Sequence, residues 1–286
     1  ISVGGLPGNK KHFSLLENVD HICATHNLEK NAFSKGQPEW GKELANDLLR
    51  VIEKHGADKI AAFITEPLAG STGVLIPPKG YLERIREICT EHDILLIFDE
   101  VITGFGRLGA PFAAQYFNVE PDLITCAKGL TSGTVPMGAV MVKKEIYDAF
   151  QDRGPMVIDL FHGYTYSAHP LAAAALIATL DVYQEDELFK HAKEMSSYWE
   201  DALHSLRDTK HVIDVRNLGL VAGVEMETRD GKPGVRGYDV FTDGFHNHNI
   251  LLRFTGDTLA LSPPLIAGKE HIDQMVDILR KIIPNH

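Results

Sequence analysis

An acid and an amine stand at the ends of two successive apolar runs, and they are the residues of this chain best placed to do chemistry. The first run, Ile94-Leu95-Leu96-Ile97-Phe98, leads into Asp99-Glu100-Val101. The second, Leu123-Ile124-Thr125-Cys126-Ala127, leads into Lys128-Gly129. Apolar runs without alternation predict strands buried on both faces. In open α/β sheets, ligands collect just past the C-terminal strand ends, where Asp99 and Lys128 would meet. An amine can form a Schiff base with an aldehyde, and a carboxylate can hold a proton on a ring nitrogen. Pyridoxal phosphate requires that combination. Each residue alone has a plainer explanation. Asp is an ordinary cap or turn residue, and a Lys after a strand is usually solvated. Small neighbours (Ala127, Gly129, Ser132, Gly133) leave room for a flat ring beside the amine, and an amine shielded from water is a usable nucleophile.

The elements that would position this pair are legible as periodicities. Residues 39–55 predict a helix with Leu44, Leu48, Val51 and Ile52 on one face and Gly56 as its stop. Residues 60–65 predict a strand running into a turn at 66–73. A helix at 81–92 carries Leu82, Ile85, Ile88 and Cys89 inward. Helix alternating with buried strand predicts a mostly parallel sheet with helices on its faces. Further strands are expected at 137–142, 212–215, 220–227, 250–253 and 258–261. Further helices are expected at 112–117, 145–150, 188–206, 238–248 and 268–283. Residues 171–183 are apolar nearly all round and predict a buried helix. The shift to short strands divides the chain into a cofactor-binding domain over 1–185 and a smaller α+β domain over 186–286.

Composition narrows the function classes. The formal net charge of −11 argues against nucleic acid or an anionic membrane as partner. No apolar run approaches the ~20 residues of a transmembrane helix. Cys23, Cys89 and Cys126 are too scattered for a disulfide framework and read as free thiols of a reducing, cytoplasmic compartment. Gly104-Phe105-Gly106-Arg107-Leu108-Gly109 imitates a dinucleotide-binding loop, but the next strand ends in Lys128 rather than in a ribose-binding acid. His246-Asn247-His248 lacks a third ligand nearby, so no metal site is expected. Arg253, beside the Gly256 turn, reads equally as an ion-pair partner or as a fork for a substrate carboxylate.

With these residues in hand, the chain resembles the class III, fold type I, pyridoxal phosphate-dependent aminotransferases over essentially its whole length. The resemblance rests on Phe98-Asp99-Glu100-Val101-Ile102-Thr103-Gly104-Phe105-Gly106-Arg107, on Ala127-Lys128-Gly129, on His162-Gly163-Tyr164-Thr165-Tyr166-Ser167-Ala168-His169-Pro170, and on Gly256-Asp257-Thr258 with Ser262-Pro263-Pro264-Leu265. Within the class it is most similar to the ω-amino-acid–pyruvate branch, on Gln37-Pro38-Glu39-Trp40-Gly41 and the stretch Arg216-Asn217-Leu218-Gly219-Leu220-Val221-Ala222-Gly223.

The resemblance implies an amino transfer from β-alanine or another ω-amino acid or amine to pyruvate, in ping-pong fashion. It implies that Lys128 bonds the cofactor and moves the proton, that Asp99 holds the pyridinium nitrogen, and that Val101 packs on the ring. It implies that Thr165 reaches the cofactor phosphate of a partner subunit, in a homodimer or dimer of dimers. Tyr164 would line that partner's pocket, Arg253 would hold the substrate carboxylate, and the Glu66-Pro67 turn would lie near the cofactor. Relatives acting on ornithine or 4-aminobutyrate carry an Arg at the position of Ala260, so those substrates fit less well. The family's N-terminal phosphate loop and ring-stacking aromatic have no counterpart in this chain, which opens on Ile1. Sibling readings are a taurine–pyruvate aminotransferase or a glutamate-1-semialdehyde-type aminomutase. A reading from another class is a catalytically silent fragment.

Overall fold

The computed structural model describes residues 1–151 and 160–286. Short helices α1 (Pro7–Lys10) and α2 (Leu28–Asn31) punctuate an extended opening. Helices α3 (Gly41–Ala45) and α4 (Asp47–His55) divide the predicted 39–55 helix at Asn46. Helix α4 buries Leu48, Val51 and Ile52, one face at helical spacing, and stops where Gly56 takes φ +85°. Strand β1 (Ala62–Thr65) is followed by α5 (Tyr81–Glu91), whose Ile85 and Ile88 are fully buried. Each such side chain contributes roughly 1.5–3 kcal/mol of hydrophobic stabilisation.

Strands β2 (Leu95–Asp99) and β3 (Leu123–Cys126) flank α6 (Ala113–Phe117) in the sequence. Strand β4 (Ala139–Val142) and helix α7 (Lys144–Asp148) follow. The sheet order is β1-β2-β3-β4, parallel through β3, with β4 antiparallel at the edge. Register places Asp99 opposite Thr125, three residues before Lys128. The two candidate residues therefore stand at neighbouring strand ends.

The second sheet is antiparallel, in the order β5-β6-β8-β7. It comprises β5 (Val212–Leu218), β6 (Val221–Met226), β7 (Arg253–Thr255) and β8 (Thr258–Leu261). Helices α8 (Pro170–Glu185) and α9 (Leu188–His204) lead into it, α10 (Val235–His248) joins β6 to β7, and α11 (Lys269–Ile282) follows β8. Trp199, Leu203, Val224, Leu259, Ile272 and Leu279 share its core.

Three expectations are corrected. Strand β2 alternates after all: Leu96 and Phe98 are buried, Ile97 is half-buried and Leu95 is exposed. Helix α5 packs on the sheet, while the side of Leu95 is left exposed among the described residues. Helix α8 buries only Ala172, leaving Leu171, Ile177, Leu180 and Val182 exposed. Among the described residues its principal packing partners are the turn after β3 and helix α9, with Leu176 and Tyr183 inward, so much of its apolar surface stays exposed. Arg253 opens β7 rather than ending a strand, because the apolar residues before it are not paired into the sheet.

Candidate active site

Asp99 and Glu100 are adjacent carboxylates with different work. Asp99, half-buried at the end of β2, accepts the Val101 N–H through Oδ1 at 3.1 Å. No hydrogen bond engages its Oδ2 among the described residues. Glu100 is fully buried and caps α6. It accepts from the backbone N–H groups of Ala113 (2.5 Å) and Ala114 (2.9 Å) and from the Thr103 hydroxyl (3.0 Å). Burial pushes the Glu100 carboxyl up, and those three hydrogen bonds oppose the shift.

Lys128 opens a single 3₁₀ turn, Lys128–Thr131, with φ +46°. A left-handed lysine is a strained conformation of the kind that gathers at functional sites. The Tyr183 hydroxyl on α8 donates to the Gly129 carbonyl at 2.6 Å and fixes this turn. Gly129 is small because Phe105 lies on it: an added Cβ would sit 2.7 Å from the Phe105 Cβ. Packing, rather than room for a ligand, therefore accounts for that glycine. Lys128 is exposed, not shielded, since the chain turns away at Gly129 and leaves the side chain over an open cleft.

That cleft has a volume of about 700 Å³. Val101, Ile102, Lys128, Ser71, Arg253 and Ala260 all line it. Asp99 does not itself line it. Glu66, however, joins the two key residues electrostatically. Burial chiefly raises the Glu66 carboxyl; its hydrogen bond from Gly70 N–H opposes this, Asp99 raises it further, and Lys128 lowers it. The Gly70 N–H donates to Glu66 Oε2 at 3.0 Å and closes the turn after β1. Arg253 is exposed and makes no ion pair among the described residues.

Thr165 and Tyr164 are not brought to this cleft. Both are exposed, Tyr164 to 77%. Tyr164 lines a second hollow of about 550 Å³ with residues of the 135–138 segment and the start of α8.

Sequence reasoning singled out neither Arg216 as a functional residue nor the cluster around it. His26, Asp214 and Glu225 place three potential ligand atoms within 4.8 Å of one another. Arg216 Nη1 already lies 2.5 Å from Asp214 and 2.6 Å from Glu225, so a guanidinium supplies the positive charge there. In the sequence Arg216 stands only within the stretch that carries the resemblance; its grouping with Asp214 and Glu225 becomes visible once the strands are paired.

A mixed, mostly parallel sheet with an amine and a carboxylate at neighbouring strand ends defines a fold type I scaffold. The family model described as aminotransferase class-III matches residues 8–283, and the chain belongs to that family, whose members depend on pyridoxal phosphate. An omega-aminotransferase of Caulobacter vibrioides is 61% identical over 99% of the chain and 64% of its own length. A beta-alanine–pyruvate aminotransferase of Pseudomonas aeruginosa is 48% identical over 96% of the chain and 62% of its own length. The chain thus spans less than two thirds of these curated relatives. A solved transaminase with L-alanine superposes with TM-score 0.91 at 33% identity, over 99% of this chain and 68% of that one. The omega transaminase of Pseudomonas jessenii superposes with TM-score 0.88 at 31% identity, over 100% of this chain and 66% of that one.

The residues present fit the ring end of this cofactor. Among the described residues, Asp99 keeps one carboxylate oxygen uncommitted for a pyridinium N–H and Lys128 has no ion pair, while Val101 and Ile102 line the cleft as apolar groups. Ser132 and Gly133 add small hydroxyl and backbone groups to the cleft lining.

Proposed function

We propose that this protein is a transaminase that moves an amino group from β-alanine or another ω-amino acid or amine to pyruvate. The observation that carries the reading is the Asp99 carboxylate and Lys128 amine on paired strands β2 and β3, with Lys128 and Arg253 lining one cleft. The names of the Caulobacter and Pseudomonas relatives support the donor and acceptor classes.

Pyridoxal phosphate supplies an aldehyde for the amino group and a ring that accepts electrons from the bond being broken. Lys128 Nζ takes the proton from the amine-bearing carbon of the donor and returns it in the reverse half-reaction. A positioned amine of this kind contributes ~10²–10⁴-fold. Asp99 Oδ2 keeps a proton on the ring nitrogen. Val101 packs on the ring face. Arg253 forks the substrate carboxylate and turns to solvent for neutral amines, a freedom its exposure and lack of an ion pair allow. The kinetics are ping-pong, because the oxo product must leave before pyruvate occupies the same cleft.

The same proposal includes a homodimer or dimer of dimers, in which Thr165 binds the phosphate of the neighbouring site and Tyr164 lines its pocket. The exposed loop that carries both residues and the uncovered apolar side of α8 support it. It also includes a division into domains at 185/186, supported by two sheets with largely separate cores, and a cytoplasmic location, supported by three free cysteines. Among the described residues no helix is long and apolar enough to cross a membrane.

The test is the visible absorbance of the cofactor-loaded enzyme. Addition of β-alanine should bleach the band and pyruvate should restore it. A band that ignores β-alanine but responds to taurine or to glutamate 1-semialdehyde would overturn the substrate assignment.

A further inference from the structure

One row of directly paired positions crosses the small sheet: Arg216, Gly223, Ala260, Arg253. Partners in such a row share a face. The two ends are arginines and the two middle positions are small. The reason lies above them. A Cβ on Gly223 would sit 3.0 Å from the Gly73 carbonyl oxygen and 3.3 Å from Arg216 Nε. The turn from Gly70 to Val74 therefore rests directly on the row.

Arg216 holds it there. Its Nε donates to the carbonyls of Val74 (2.9 Å) and Gly73 (3.2 Å), and its Nη2 donates to Gly73 (2.7 Å). Nη1 is held by Asp214 and Glu225, and His26 lies 3.3 Å from Glu225 behind them. Arg216 is 3% exposed, so these bonds are made away from water. From β7, two residues beyond Arg253, the Thr255 hydroxyl donates to the Ser71 carbonyl at 2.9 Å. Gly70, Ser71 and Val74 line the same cleft as Ala260 and Arg253. The two arginines divide the labour. Every nitrogen of the Arg216 guanidinium is hydrogen-bonded, and Arg253 makes no ion pair among the described residues.

We propose that Arg216 is a positioning residue that, with Thr255, fixes the Ser71 edge of the cleft against Arg253 and so favours carboxylate-bearing substrates. The proposal rests on the reading of Arg253 as the carboxylate fork. A purely structural role would lower activity toward every donor alike. A positioning role weakens only substrates that engage Arg253.

Two variants of the pyridoxal phosphate-loaded enzyme test it. Thr255→Val leaves the buried ion cluster intact and removes one bond to the turn. Arg216→Lys keeps a charge between Asp214 and Glu225 but cannot also span to Gly73 and Val74. For Thr255→Val, KM for β-alanine should rise about fivefold, the scale of one hydrogen bond, with kcat and the KM of a neutral arylalkylamine within about twofold. The Kd of propionate, which has the carboxylate without the amine, should weaken by the same factor in calorimetry. Arg216→Lys should shift the β-alanine KM and the propionate Kd further in the same direction. Equal losses for both donors, or an unchanged propionate Kd in Thr255→Val, would overturn the proposal. If the parent enzyme converts the arylalkylamine but neither converts β-alanine nor binds propionate, the carboxylate-fork reading itself has failed, and the positioning role falls with it.

Discussion

At the residue scale, neighbouring side chains of one type separate into chemistry and support. Asp99 keeps an oxygen uncommitted while Glu100 spends both of its oxygens on a helix end. We predict that Lys128→Ala removes the visible band and lowers turnover by at least ~10²-fold. Asp99→Asn should retain bound cofactor with severely reduced turnover. Retained turnover in either variant, checked by spectrum and steady-state rate together, would remove that residue from its role. Arg253→Ala should raise KM for β-alanine about tenfold or more, the scale of a charge-assisted hydrogen bond, and leave neutral amines nearly untouched. Glu66 makes a prediction about pH. Its carboxyl lies above the ordinary carboxylate range when folded, so folding favours the protonated form. Stability is then highest below the ordinary carboxylate value and declines as pH rises through the raised one. Glu66→Gln keeps an acceptor for Gly70 N–H and cannot ionise. Its Tm relative to the parent should climb between acid and neutral pH, and a difference that stays flat with pH would refute the account.

At the element scale, the cleft is assembled by loops locked to strands. Arg107, in the glycine-rich loop after β2, donates to the carbonyls of Leu220 (2.9 Å) and Pro263 (2.7 Å), and the Leu220 N–H returns a bond to the Arg107 carbonyl (2.9 Å). Gly219 makes this approach possible. It has φ +54°, and a Cβ there would lie 2.5 Å from the Leu108 Cα and 2.7 Å from the Arg107 carbonyl oxygen. Backbone atoms cannot rotate aside. Gly219→Ala should therefore destabilise the protein by about 2–4 kcal/mol, read as a lowered urea midpoint with an unchanged m-value. The loop that imitates a dinucleotide motif is thus a packing device between the two sheets.

At the scale of the whole molecule, the residues proposed for one site lie in two places. Lys128 opens onto the cleft, whereas Thr165 stands on an exposed loop that does not line it. A site shared between copies makes a distinctive prediction. Lys128→Ala and Thr165→Asp should each be poorly active alone, the second because its charge faces a phosphate. Co-expressed, hybrid dimers should regain activity, since one of their two sites takes both intact residues. Activity that never exceeds the mean of the two parents would show that Thr165 serves its own chain or no site at all.

The sequence by itself determined most of the elements and the placement of the candidate pair, Asp99 and Lys128. Apolar periodicity located α5, β8 and α11 to within a residue or two, and the apolar runs put Asp99 and Lys128 at neighbouring strand ends. These are local facts, set by side-chain spacing along one segment. Exposure was not legible, as β2 and α8 show, because it depends on what covers a face. Nor was the row from Arg216 to Arg253, whose members are separated in the chain and meet only through strand register. Register is a tertiary decision: a shift of one residue would turn Arg216 to the opposite face and release the turn that walls the cleft.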